Sequence, residues 1–98
     1  MKKIVYYNKL FDVYKNLLKE DEIETFSDYY EEDLSMQEIA DNQNISKSAV
    51  GKKISNVEKK LVSYEESLNI VKKNELLEEL LLENDINIIK KRISIILK

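Results

Sequence analysis

The chain contains no cysteine, histidine, proline or tryptophan, and it has a single glycine, Gly51. Each absence excludes something. Without cysteine there is neither a disulfide nor a thiolate metal site. Without histidine the commonest metal ligand and the commonest general base are missing together. Any catalytic group would be a carboxylate or a lysine, and no pair is placed for that work. The sequence reads as a non-enzyme, with no metal, cofactor or small-molecule substrate called for. Lacking proline and nearly lacking glycine, the chain must end its helices with Asn, Ser and Asp, and long helices are expected. No apolar run approaches the ~18 residues of a membrane span, and Lys2-Lys3 before IVYY is too short and polar a start for a signal peptide. A cytoplasmic protein is expected.

What remains is a composition that folds. Hydrophobic residues make up 43% and charged ones 36%, which excludes disorder and suits a helical protein rich in charge. Ninety-eight residues suit one domain with a modest core. The expected fold class is all-α.

The most informative stretch runs from Leu34 to Lys60. Ser35, with Glu38 three residues on, is a capping-box start. Ile39 and Ala40 follow inward, Ala40 being small where two helices cross closely. Asn42-Gln43-Asn44 makes the turn, with Asn44 where positive φ is needed. Ser46 caps the next helix, and Val50, Ile54, Val57 and Leu61 form its buried stripe. This spacing is that of a DNA-binding helix-turn-helix over residues 35–60.

Charge supports that reading. From Ser46 to Lys60 there are five lysines against one acid, whereas from Lys19 to Asp41 there is one lysine against ten acids. A chain of net charge −3 thus places a basic stripe on the helix that would enter a groove. Phosphate contacts are expected from Lys47, Lys52, Lys53, Lys59 and Lys60. Base contacts are expected from Ser46, Ser48, Ala49 and Asn56, with Ser35 and Gln37 approaching the backbone from the preceding helix.

The flanking segments read more plainly. Ile4 to Leu18 is a first helix with Val5, Leu10, Phe11, Tyr14, Leu17 and Leu18 mainly on one side. Its aromatic residues follow the helical period, which places them in the core and not on a base-stacking platform. Glu20 to Glu32 is a second helix with Ile23, Phe26, Tyr29 and Tyr30 inward. Its acids scatter around the helix without the glycine turn of a calcium loop, and they suit the positive end of the helix dipole. The pattern after Leu61 continues the helix-turn-helix's second helix through Tyr64 and Leu68. Residues 1–70 therefore read as the helical domain and 71–98 as a C-terminal extension. In the extension, Leu82, Ile86, Ile89, Ile93 and Ile96 keep a heptad-like step. Such a seam either folds back or pairs with another copy, and a homodimer is expected because a two-fold dimer suits a DNA reader.

Four segments resemble the YlxM family: NKLFDVYKNLL (Asn8 to Leu18), DYYEEDLSMQEIA (Asp28 to Ala40), NISKSAV (Asn44 to Val50) and VEKKLVSYEESL (Val57 to Leu68). Its members are small helical proteins whose helix-turn-helix resembles region 4 of sigma-70-type sigma factors. The match covers roughly two thirds of the chain and stops near residue 73. It implies an all-α fold, a DNA-binding regulatory role, and promoter-facing positions at Ser46, Lys47, Ser48, Lys52 and Lys53. Through gene neighbourhood it also implies a link to the signal recognition particle, a component of which becomes a possible partner. The chain departs from the family where Lys47-Ser48 replaces Arg-Gln, where Gly51 replaces Tyr, and where Lys19 and Glu22 replace the usual Thr and Gln. The first change keeps phosphate contact but loses the bidentate fork to guanine. The alternative to a DNA-binding regulator is a protein-interaction (or RNA-binding) module of that pathway whose helix-turn-helix is structural only.

Overall fold

A computed structural model describes residues 3–98; Lys2 of the N-terminal lysine pair lies outside them. The fold is all-α. Among the described residues six α-helices follow in order: α1 (Lys3–Tyr14), α2 (Glu20–Tyr30), α3 (Met36–Gln43), α4 (Lys47–Leu68), α5 (Ile70–Leu80) and α6 (Ile86–Ile96). A 3-10 turn, Lys15–Leu17, follows α1.

Helix ends are made by residues standing in for glycine. Asp33, Asn44 and Asn69 take φ of 57°, 56° and 53°, the left-handed region that short polar side chains tolerate. Starts are made by side-chain caps. Ser35 Oγ accepts from the Glu38 N–H while the Glu38 carboxylate accepts from the Ser35 N–H, both at 3.1 Å, completing the expected capping box. Ser46 Oγ accepts from Ala49 N–H at 3.0 Å. Lys19 offers no side-chain acceptor, so at α2 only half a box exists: Glu22 accepts from the Lys19 N–H at 3.0 Å.

Helix α4 is the spine. Its stripe of Val50, Ile54, Val57 and Leu61 is buried against Leu10, Phe11, Tyr14, Phe26, Ile39 and Ala40 from the three preceding helices. Phe26 stacks on Tyr30 at 4.4 Å and lies 4.8 Å from Phe11. Truncating any of these large buried groups to Ala should cost about 2–5 kcal/mol. Thr25 is buried among them, its hydroxyl satisfied by Gln43 Nε2 at 2.9 Å.

Two inward assignments on the first helix are corrected. Val5 is 45% exposed and Leu17 57% exposed. The buried row is Leu10, Phe11 and Tyr14, with Tyr7 half-buried above it, and Val5 falls nearly opposite Tyr7 on the helix. The 3-10 turn after Tyr14 then changes the register, so Leu18 turns in and Leu17 out. The second helix also stops at Tyr30, two residues early.

The last two helices form an antiparallel hairpin. Asn69 ends α4, and α5 sends Val71 into the core and ties Glu75 to Lys9 of α1 at 3.1 Å. Helix α6 packs on α5 and buries no residue fully. The chain spans 58 × 22 × 19 Å with a radius of gyration of 17.3 Å. A compact chain of this length would have about 13 Å, so the hairpin projects as an arm. The heptad-like seam does not survive intact. Leu82 lies in the turn before Asp85, which caps α6, and Ile89 and Ile96 are half-buried. Ile86 and Ile93 remain exposed.

Candidate nucleic-acid interface

The turn between α3 and α4 is stapled locally. Asn44 in the left-handed region lets its N–H reach Ala40 O, and the next residue's N–H also bonds Ala40 O, at 3.1 Å. The Ser46 cap then sets the direction of α4. On that helix Ser48, Lys52, Ser55 and Lys59 recur at 4, 3 and 4 residue steps on the side away from the buried stripe.

The residues expected at DNA divide into two groups. Ser35, Gln37, Ser46, Lys47, Ser48, Lys52, Asn56 and Lys59 are exposed, and Ala49 is half-buried at the edge of the core. Ser35 and Ser46 have their oxygens committed to caps, leaving each O–H free to donate. Gln37 is turned onto Asp41 of its own helix, at 2.9 Å. Lys47, Lys52 and Lys59 make no ion pair among the described residues.

Lys53 and Lys60 form the second group, and α2 holds both. Lys60 Nζ lies 2.6 Å from Glu22 Oε2, and Lys53 Nζ lies 3.5 Å from Asp21 Oδ2 and 3.3 Å from Gln43 Oε1. Burial pushes the Glu22 carboxyl up, but hydrogen bonds from Lys60 and from the Lys19 N–H, with the ammonium charge, outweigh it and hold it below its ordinary value. The same hydrogen bond raises Lys60, whose ammonium loses little to desolvation. The first turn of α2 therefore neutralises one flank of the basic stripe. Sequence reading missed this because Glu22 and Lys60 are 38 residues apart. The dense acids of α2 were the available signal.

A groove of about 530 Å³ opens on the other flank, where Ser35, Met36 and Glu38 face Gly51, Ser55 and Glu58 across Tyr29 and Tyr30. Tyr30 donates a hydrogen bond to Glu58, and Lys3 lies 3.6 Å from the same carboxylate. A Cβ on Gly51 would meet nothing nearer than Met36 Sδ at 3.8 Å. The glycine is not required by space.

The family whose model matches residues 1–96 is UPF0122, described as "Putative helix-turn-helix protein, YlxM / p13 like". The chain belongs to the UPF0122 family. It is 44% identical over 77 residues to a UPF0122 protein of Mycoplasma capricolum, covering 79% of this chain and 68% of that one. A UPF0122 protein of Lactococcus lactis subsp. cremoris is 45% identical over 78 residues, 76% and 70% of the two chains. One from Ureaplasma parvum serovar 3 is 39% identical over 87 residues, 88% of each. The family model reaches through α6, beyond the point near residue 73 where the motif resemblance ends. Among the described residues no helix is long and apolar enough to cross a membrane, and no cluster of acids could hold a metal ion.

Proposed function

We propose that this chain is a non-enzymatic DNA-binding regulatory protein that lays the exposed side of α4 along duplex DNA. One observation carries the reading: Lys47, Lys52 and Lys59 stand exposed and make no ion pair among the described residues, on a helix aimed by a capped, left-handed turn. These lysines would neutralise phosphates, and Ser48 and Asn56 between them are the side chains placed for base edges. With Lys and Ser where the family has Arg and Gln, affinity comes mainly from phosphate.

A second reading is favoured by the capture of Lys53 and Lys60, which thins the basic face. In it the helix-turn-helix is structural, and the chain is a protein-interaction or RNA-binding module linked to the signal recognition particle pathway.

Fluorescence anisotropy of labelled duplex DNA across a salt series separates the two. Three lysines predict a log–log slope of about −3. Lys52→Glu with Lys59→Glu should weaken binding at least tenfold. No binding at low salt, or a double variant within twofold of wild type, overturns the DNA reading.

A further inference from the structure

The arm is closed by the contact between α5 and α6, yet apolar side chains open on both sides of it. On one side Ile70, Leu77, Ile93, Leu97 and an edge of Ile96 border a groove of about 300 Å³. On the other, Leu76, Ile95 and Ile96 floor a groove of about 230 Å³ whose remaining walls are Glu79 on α5 and Arg92 on α6. Neither charge is in an ion pair among the described residues.

We infer that this second side is a self-complementary contact between two copies of the chain. One acid and one base across an apolar floor is a pattern that completes itself under two-fold rotation. The axis sets Glu79 of each copy against Arg92 of the other, so two identical ion pairs close over a shared strip of Leu76, Ile95 and Ile96. The contact is small: two adjacent helices of 11 residues are each about 16 Å long and together about 20 Å wide, a face of roughly 300 Å² per copy, which fits a weak, reversible dimer and not an obligate one. An anionic lipid surface fits less well, because the one cation of this side, Arg92, faces Glu79 across the groove, and Glu83 follows Glu79 four residues on. The inference stands apart from DNA binding, since it uses no residue of α3 or the first half of α4.

Sedimentation equilibrium on the full chain tests it, with circular dichroism checking that each variant is folded. Wild type should associate reversibly to twice the 11.6 kDa chain mass. Glu79→Arg alone, or Arg92→Glu alone, should raise the dimer dissociation constant at least tenfold. Mixing the two variants should restore a dimer, because every 79–92 pair between the two chains is then of opposite sign. A pair formed within one chain would not be rescued by mixing. A monomeric wild type at 200 µM, as an order of concentration well above usual dimer affinities, overturns the inference. So do single variants that still dimerise, or a monomer that instead binds anionic vesicles.

Discussion

Tyr14 at the end of α1 donates a 2.6 Å hydrogen bond to Glu65, 51 residues away near the end of α4. The same carboxylate accepts from the N–H groups of Val71 and Lys72 at 3.1 and 3.0 Å, and Tyr14 Oη accepts from the Ile70 N–H at 3.2 Å. Helix α5 begins at a left-handed Asn69 with no side-chain cap of its own. Glu65 and Tyr14 supply that cap from outside, and thereby fix the arm's direction.

Tyr14→Phe should therefore destabilise the chain by about 1.5 kcal/mol or more, a bond to a charged group having been lost. At this size that lowers Tm by several degrees. Tyr64→Phe, which loses only a 3.5 Å contact to Leu17 O, is the control and should change Tm far less.

The same pair predicts alkaline behaviour. Burial, then the hydrogen bond to Glu65, pushes the Tyr14 phenol up to about 12. A folded value above the unfolded one favours the neutral phenol, so this contribution is whole below about pH 10 and is lost as pH climbs towards about 12. Stability measured against pH should fall more steeply in wild type than in Tyr14→Phe over that window.

Capture of lysines by α2 predicts a gain of function. Asp21→Asn with Glu22→Gln frees Lys53 and Lys60, and the salt slope for DNA should steepen by nearly two. Lys53→Gln with Lys60→Gln should barely change affinity in wild type, yet cancel the gain in the acid-neutralised background. Glu20→Gln with Glu24→Gln matches the charge change without touching either lysine and should leave the slope unaltered.

Acid should undo that capture. Glu22 titrates below its ordinary value in the folded chain, so its contribution is present above about pH 4.3 and disappears as pH falls through the folded value. Glu22→Gln should flatten the stability profile on the acid side.

Gly51→Ala should stabilise by up to about 1 kcal/mol, because the site is mid-helix and an added Cβ makes only ordinary contact with Met36. A rise of roughly 4–8 °C in Tm would correspond to that full amount. A fall in Tm would show that the groove wall is tighter than its geometry implies.

What could be read in advance was local. The Ser35–Glu38 box, the Asn44 turn, the Ser46 cap and the Val50–Leu61 stripe each depend on residues within a few positions of one another. The continuation of α4 to Leu68 followed from the same periodicity. What escaped depends on neighbours distant in sequence. Lysines on α4 look equivalent until α2 is laid beside two of them. Ile89 looks like part of a seam for another chain until α5 packs on α6 and leaves it half-buried. Leu17 faces out because the 3-10 turn after Tyr14 changes the helical register, and Val5 because it lies nearly opposite Tyr7 on α1.

Helix α6 buries no residue fully and leans chiefly on α5 for its packing, so opening it exposes little that was hidden. Its amides should exchange with solvent at a free energy well below that of α4, as a separate cooperative unit. The inferred pairing of two arms would add a term that depends on how many chains are present. The protection of α6 would then be a readout of protein abundance, while that of α4 would not.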